Sequence, residues 1–164
     1  MSQLLIRNRQ RVRRVRTAQL RRIAQSILND LPGVREYELC VHLVGAVEMT
    51  QVNEQFLGHE GSTDVITFDY TDKPATSPAR LPERLHGEIF ICLDDAVAQA
   101  RRFRTTWQAE VTRYLIHGLL HLRGYTDTET ASRRRMKREE QRRLQRVKRG
   151  FDLSLMRRAS KVGT

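Results

Sequence analysis

Two histidines and an aspartate near residue 120 have the types and spacing of metal ligands. His117 and His121 stand four residues apart in the string IHGLLHLRGYTD, so a helix would place both imidazoles on one face, about 5–6 Å apart at Cβ. Gly124 permits a sharp turn after this helix, and Asp127 can then return to the same ion. The spacing equals that of the metzincin signature, with aspartate in third place. We therefore predict one divalent metal ion, zinc or a similar one, held by these three side chains.

The residue after the first histidine indicates which hydrolysis such a site would catalyse. A metalloprotease places its glutamate general base there, and this chain has Gly118, which disfavours peptide hydrolysis. An open position on the metal would instead acidify a bound water and polarise a phosphoryl oxygen. We therefore expect His117, His121 and Asp127 to act in catalysis through that water. A different role for Asp127 stays open, because the string TDTE at 126–129 also matches a capping box for the last helix.

The elements that position these residues are predicted from hydrophobic periodicity. Strands are expected at 4–7, 37–44, 64–70 and 87–93, and helices at 17–31, 47–56, 94–103 (capped by Asp94 and Asp95), 106–122 and 128–147. Because strands and helices mix without strict alternation, we predict an α+β fold, a small mixed β-sheet packed with helices. Residues 71–86 should form a surface loop. We expect one domain over 1–150 and a flexible basic tail over 151–164.

Charge is divided unevenly along the chain and predicts a polyanionic partner. Residues 1–30 carry eight arginines and one aspartate (+7), residues 31–100 carry four basic and twelve acidic residues (−8), and residues 101–164 carry eighteen basic and six acidic residues (+12). A pI near 10.7 with this segregation favours nucleic acid. A membrane surface is disfavoured, because the basic helices lack an aromatic apolar face. The basic segments 7–22 and 133–149 should hold an RNA backbone, and the RNA-binding candidates are Arg123, Arg142, Arg143 and Arg146.

Cysteine use and apolar runs predict the compartment. Cys40 and Cys92 each lie in an apolar run and fit neither a CxxC site nor a disulfide framework, so we expect buried thiols in a reducing cytoplasm. No stretch approaches the eighteen or so apolar residues of a membrane helix. The N-terminus does not have the pattern of a signal peptide. The sequence therefore predicts a cytoplasmic protein without a membrane partner.

Three motifs together resemble the YbeY family of bacterial rRNA maturation factors, proposed single-strand-specific endoribonucleases. The family hallmark is similar to H-G-x-L-H-L-x-G-Y-D-H, and residues 117–127 read HGLLHLRGYTD. A second family stretch, L-N-x-x-Y-R followed by T-D-V-L-S-F, is matched by Val52, Asn53 and Phe56 and then by TDVITF at 63–68. A third, G-D-I-x-I-x, is matched by GEIFIC at 87–92. The matches follow the family order over most of the chain.

The resemblance implies a function, partners and further site residues. It implies a zinc-dependent endoribonuclease of single-stranded RNA that acts at the 3′ end of small-subunit rRNA and in ribosome quality control. The implied partners are rRNA and the small ribosomal subunit, with ribosomal proteins or GTPases. Thr63 and Asp64, which begin the TDVITF string, are expected to line the catalytic site.

Two positions depart from the family pattern. The family's third histidine falls on Asp127 and its nearby aspartate on Thr126, and the resulting His/His/Asp set still suits zinc, because carboxylate oxygen binds it well. The family's arginine, thought to contact RNA or stabilise phosphate, falls on Leu57, which can do neither. Arg123 or an arginine of the last helix could substitute. Two alternatives stay open: a non-catalytic rRNA-binding assembly factor with a structural metal, and another metal-dependent hydrolase.

Overall fold

A computed structural model describes residues 1–71 and 81–159, and this part of the chain contains one four-stranded sheet. Its strands are β1 (Gln3–Asn8), β2 (Glu36–Val44), β3 (Val65–Asp69) and β4 (Arg84–Cys92). Their order is β1-β2-β4-β3. β2 pairs in parallel with both β1 and β4, and the edge strand β3 pairs antiparallel with β4. This confirms the small mixed sheet that the sequence predicts.

Five α-helices pack around this sheet in the described residues: α1 (Thr17–Asp30), α2 (Ala46–Leu57), α3 (Leu93–Phe103), α4 (Trp107–Arg123) and α5 (Thr130–Gly150), followed by a short 3-10 helix, Leu153–Met156. The main core lies between one sheet face and α1, α4 and α5. Val41 and Ile89, register partners on β2 and β4, are fully buried there with Leu115 and Leu119 of α4. A smaller cluster under α2 covers part of the opposite face. None of the helices described has the length and apolar character needed to cross a membrane.

Two glycines seat α4 directly on β4. A Cβ atom at Gly118 would lie 2.8 Å from Ile89 Cδ1, closer than side-chain atoms pack in proteins. A Cβ atom at Gly87 would lie 2.7 Å from Leu122 Cδ2. The helix that carries both histidines is therefore held against the sheet at a distance that larger residues would not permit.

Two predicted boundaries need correction. The helix predicted at 94–103 begins at Leu93 with Cys92 as its N-cap, so Asp94 and Asp95 lie inside its first turn. Asp94 Oδ2 instead accepts a hydrogen bond of 2.6 Å from Ala46 N, which braces the start of α2. The loop predicted at 71–86 ends earlier, because β4 begins at Arg84; residues 72–80 of it lie outside the described residues.

Of the two thiols predicted to be buried, Cys92 is buried and Cys40 only half-buried.

The segment after α5 packs on the domain up to Ala159, which corrects the prediction of a flexible tail from residue 151. Met156 is fully buried in the main core. Arg16 N donates to Met156 O at 2.7 Å and Arg158 N donates to Arg14 O at 2.9 Å. The apolar side chains of this segment supply the physical reason for its order. Residues 160–164 lie outside the described residues.

Candidate metal centre

The structure brings His117, His121 and Asp127 together at the end of α4. The two Nε2 atoms lie 3.1 Å apart. Asp127 Oδ2 lies 3.5 Å from Nε2 of His121 and 3.9 Å from Nε2 of His117. Gly124 ends the helix with a φ of 112°, a left-handed conformation that glycine adopts without steric cost. This turn returns Asp127 to the histidines, so that three ligand atoms lie within 4.8 Å of one another and could hold one metal ion.

The capping role considered for Asp127 is taken by another residue. The N-cap of α5 is Glu129, which forms a reciprocal capping box with Ser132. The main-chain N–H of Glu129 donates to Ser132 Oγ at 3.1 Å. Asp127 lies two residues before this cap, and its carboxylate faces the histidines instead.

Glu140 of α5 orients His117 by contacting the ring nitrogen that does not face His121 and Asp127. His117 Nδ1 lies 2.9 Å from Glu140 Oε2. Because a carboxylate only accepts hydrogen bonds, Nδ1 is the donor, and Nε2 is the ring nitrogen left to face His121 and Asp127. Protein metal sites commonly hold a histidine ligand with a carboxylate in this way. The sequence prediction did not include Glu140.

The two histidines differ in proton affinity. Burial lowers the pKa of His117, but the hydrogen bond and the charge of Glu140, with a smaller contribution from Asp127, outweigh burial and raise it above 6.5. Burial and the positive charge of His117 lower the pKa of His121. His117 therefore binds a proton more readily than His121 does. A metal ion must displace this proton to bind.

An open cavity of about 470 Å³ lies above these ligands. Its other wall is formed by the edge strand β3 and the residue before it, and includes Asp64, Thr67 and Asp69. The prediction that Asp64 lines the site agrees with this placement. Thr63 lies beside it, with Oγ1 3.4 Å from Asp64 Oδ1, but does not itself line the cavity. Among the described residues, those that line the cavity include three aspartates and neither lysine nor arginine, so the cavity attracts cations.

Two of the four predicted RNA-binding arginines are buried and serve the fold. Arg123 donates to the carbonyl oxygens of Pro32 and Pro82, which ties the loops before β2 and β4 to the end of α4. Arg143, whose side chain is 5% exposed, pairs with Glu139 at 3.3 Å. Neither guanidinium is available to a phosphate, so both assignments are corrected.

Arg142 and Arg146 lie on the outer face of α5 and are available to a ligand. Their side chains are 59% and 56% exposed. Arg142 forms a surface pair with Glu139 at 3.0 Å, and Arg146 lies 3.6 Å from Asp30. Leu57, at the position of the family arginine, is the last residue of α2 and is partly exposed.

Comparison with known proteins agrees with this architecture. The family described as Endoribonuclease YbeY matches residues 5–148. The Endoribonuclease YbeY of Salinibacter ruber is 33% identical over 121 residues, which cover 74% of this chain and 76% of that protein. The Endoribonuclease YbeY of Chlorobium luteolum is 33% identical over 145 residues, which cover 88% of this chain and 98% of that protein.

A solved structure has the same fold. The solution structure of a Thermotoga maritima protein superposes with a TM-score of 0.62 and covers 99% of both chains, at 23% sequence identity. The family match spans the sheet, helix α4 with its two histidines, and most of α5. The chain therefore belongs to the Endoribonuclease YbeY family.

Proposed function

We propose that this chain hydrolyses single-stranded RNA at one zinc ion held by His117, His121 and Asp127. Endoribonuclease activity on RNA phosphodiester bonds follows from membership of the family. The observation that supports the metal assignment best is the convergence of two imidazole Nε2 atoms and one carboxylate oxygen beneath an open cavity. Two nitrogens and one oxygen, with a fourth position open to the cavity, form a donor set of the kind found in catalytic zinc sites.

The charges around the cavity fit a divalent cation. Asp64, Asp69 and Asp127 line it, and they would repel an RNA phosphate in the absence of a cation. A bound metal supplies Lewis acidity, which acidifies water and polarises a phosphoryl oxygen. The protein's own part is to hold the ligands: Glu140 fixes the tautomer of His117, and Gly124 turns the chain so that Asp127 faces both histidines.

The RNA substrate is held by basic side chains outside the cavity, because its lining supplies no lysine or arginine among the described residues. Arg142 and Arg146 on the outer face of α5 are assigned to the RNA backbone. On the resemblance to the family, the substrate is rRNA at the 3′ end of the small-subunit RNA. The partners are then the small ribosomal subunit and its proteins or GTPases, in the cytoplasm, and residues 1–150 act as one domain together with the segment packed on it up to Ala159.

A peptidase is disfavoured by the packing of α4. The general base of a metalloprotease would occupy position 118, where even a Cβ atom would overlap Ile89. A glutamate at that position would require α4 to move away from β4. A structural reason therefore accompanies the missing base, and phosphodiester hydrolysis remains the reaction that the site supports.

Turnover of single-stranded RNA against a panel of peptides tests the proposal. Wild-type protein with zinc should cut RNA and no peptide, and a chelator should stop cleavage until zinc is restored. His117→Ala with His121→Ala should abolish cleavage. The matched control, His59→Ala with His86→Ala, removes two exposed histidines outside the cavity and should leave it intact. RNA binding without cleavage by the zinc-loaded wild type would support the assembly-factor alternative and contradict the proposal.

A further inference from the structure

A second cavity, of about 430 Å³, lies between the loop that joins β1 to α1 and the chain after α5. Four arginines line it, and it shares no lining residue with the metal cavity. Among the described residues its lining includes no aspartate or glutamate. We call it the arginine cleft, and it is lined by Asn8, Gln10, Arg11, Arg13, Arg14, Val15, Arg158 and Ala159.

The loop that carries three of these arginines is held in shape by a buried glutamine. Gln10 is only 8% exposed. Its Oε1 accepts from Val12 N at 2.8 Å and from Arg13 N at 3.0 Å. Its Nε2 donates to Arg13 O at 2.7 Å and to Asn8 Oδ1 at 2.9 Å. All the hydrogen-bonding groups of this side chain serve the loop, so the loop is ordered before any ligand arrives.

The opposite wall is fixed to the same loop by main-chain contacts. Arg158 N donates to Arg14 O at 2.9 Å, and Val15 forms an antiparallel bridge with Arg157. The burial of Met156 anchors this segment to the core. The backbone therefore holds Arg11, Arg14 and Arg158 around one cavity.

In the part of the chain that the structure describes, these three guanidinium groups have no carboxylate partner. Arg11, Arg14 and Arg158 are exposed, and within residues 1–71 and 81–159 none of them forms an ion pair, whereas Arg9 is paired with Glu48 at 2.6 Å. Like charges gathered around one cavity repel one another, and a bound anion removes that repulsion. The planar fork of arginine matches the oxygens of a phosphate group.

We propose that the arginine cleft binds phosphate groups of the RNA strand, at a position separate from the metal cavity. This inference rests on the proposed function for the identity of the polyanion. α5 begins beside Asp127 and ends at Gly150, just before the segment that leads to Arg158, and its 21 residues span about 30 Å. Arg142 and Arg146 are exposed on the same helix.

The salt dependence of binding tests this directly. The probe is a long single-stranded RNA of about twenty nucleotides, and the protein carries His117→Ala and His121→Ala so that RNA is not cut. Arg11→Gln, Arg14→Gln and Arg158→Gln together should lower the log–log salt slope for the long RNA by about two units, since each phosphate contact on a single strand contributes about 0.7.

A control with the same loss of charge makes the result specific. Arg101→Gln, Arg102→Gln and Arg104→Gln remove three exposed arginines outside the cleft and should leave the slope unchanged. An equal change in both triple variants, or no change in the cleft variant while its melting temperature is kept, would overturn the inference. The lysine variants of the three cleft arginines should keep the slope, because they keep the charge.

Competition with inorganic triphosphate shows whether the ligand of the arginine cleft is RNA or a free polyphosphate. In the proposed arrangement triphosphate competes weakly with the long RNA. Tight binding of triphosphate to the cleft, lost in the glutamine variant and indifferent to RNA, would overturn the assignment to RNA. Failure of the proposed function gives a different pattern: wild-type protein would not cut RNA, while the cleft variant would still show the lowered salt slope.

Discussion

Glu140 accepts a hydrogen bond of 2.9 Å from Nδ1 of His117, although the two residues lie on different helices. Glu140 is largely buried, and its second carboxylate oxygen lies 4.0 Å from Arg113 Nη1. The contact joins helix α5 to helix α4, which carries both histidines. It fixes which nitrogen of His117 is free, and hence which atom a metal ion meets.

The first prediction concerns this contact. Glu140→Ala should weaken zinc binding by about 10–100-fold, the usual effect of losing the partner of a histidine ligand. Glu140→Gln should weaken binding less, because the amide oxygen can still accept from Nδ1. Glu139→Gln is the matched control, since Glu139 pairs with Arg142 and Arg143 instead. Competition against a fluorescent chelator measures the affinities, and equal affinity in the alanine variant and wild type would refute the role of Glu140.

The second prediction separates two neighbouring arginines of α5. Arg143→Gln should lower the free energy of unfolding by about 1.5–3 kcal/mol, because it removes a buried guanidinium that pairs with Glu139 and donates to Asp30 O. Arg142→Gln should leave stability nearly unchanged, since surface pairs contribute little, and should flatten the salt dependence of RNA binding. Urea denaturation and RNA titrations in increasing salt check the two effects. The assignment fails if Arg142→Gln is the more destabilising change.

The third prediction concerns the seating of α4 on β4. Gly118→Ala should destabilise the fold by about 1–3 kcal/mol, because the added methyl group overlaps Ile89. Gly150→Ala, in a helical position with nothing within 4 Å of the added atom, should be neutral or slightly stabilising. Thermal melts of the two variants give the comparison. Equal melting temperatures would show that α4 is not held against β4 by the absence of a side chain.

The fourth prediction concerns acid stability and Glu88 on the open sheet face. Tyr70 Oη donates to Glu88 Oε2 at 2.8 Å. Because Arg9 donates to Nδ1 of His42, the ring hydrogen is on Nε2, which donates to Glu88 Oε1 at 2.8 Å. Burial raises the pKa of Glu88, but these two hydrogen bonds, together with the charge of Arg7, outweigh it, so the pKa of Glu88 lies below 4.5. The folded protein therefore binds fewer protons here than the unfolded chain, and stability is lost as pH falls through the lowered pKa.

Melting temperature against pH measures this effect. Glu88→Gln should flatten the loss of stability at acidic pH, whereas Glu60→Gln, in an exposed loop, should retain the wild-type profile. A steeper acid loss in the Glu88 variant would reverse the sign of the argument.

The convergence of His117, His121 and Asp127 was predictable because it is local. His117 and His121 are fixed by helical spacing, and Gly124 sets the turn that returns Asp127. The corrections on α5 were also within reach of the sequence. Met136, Glu140 and Leu144 are four residues apart and share one helix face, and Arg143 lies on the same buried side with Val147. The high density of basic residues along α5 masks this periodicity in the sequence.

Other contacts join parts of the chain that sequence patterns do not connect. Arg123 donates to Pro32 and Pro82, which are 91 and 41 residues away. The order of the chain up to Ala159 depends on a bridge between Val15 and Arg157. Such pairings are set by tertiary packing, and local propensity carries no information about them.

Zinc titration of metal-free protein, followed by calorimetry, tests the central claim that His117, His121 and Asp127 form one metal site. Wild type should bind one equivalent, and Asp127→Ala should lower the affinity by orders of magnitude while the fold survives. Asp127→His should retain the metal, since imidazole nitrogen also binds zinc. The control Glu129→Ala removes the cap of α5 and should cost about 0.5–2 kcal/mol of stability without changing zinc affinity. Zinc binding to Asp127→Ala as tight as to wild type would contradict the site.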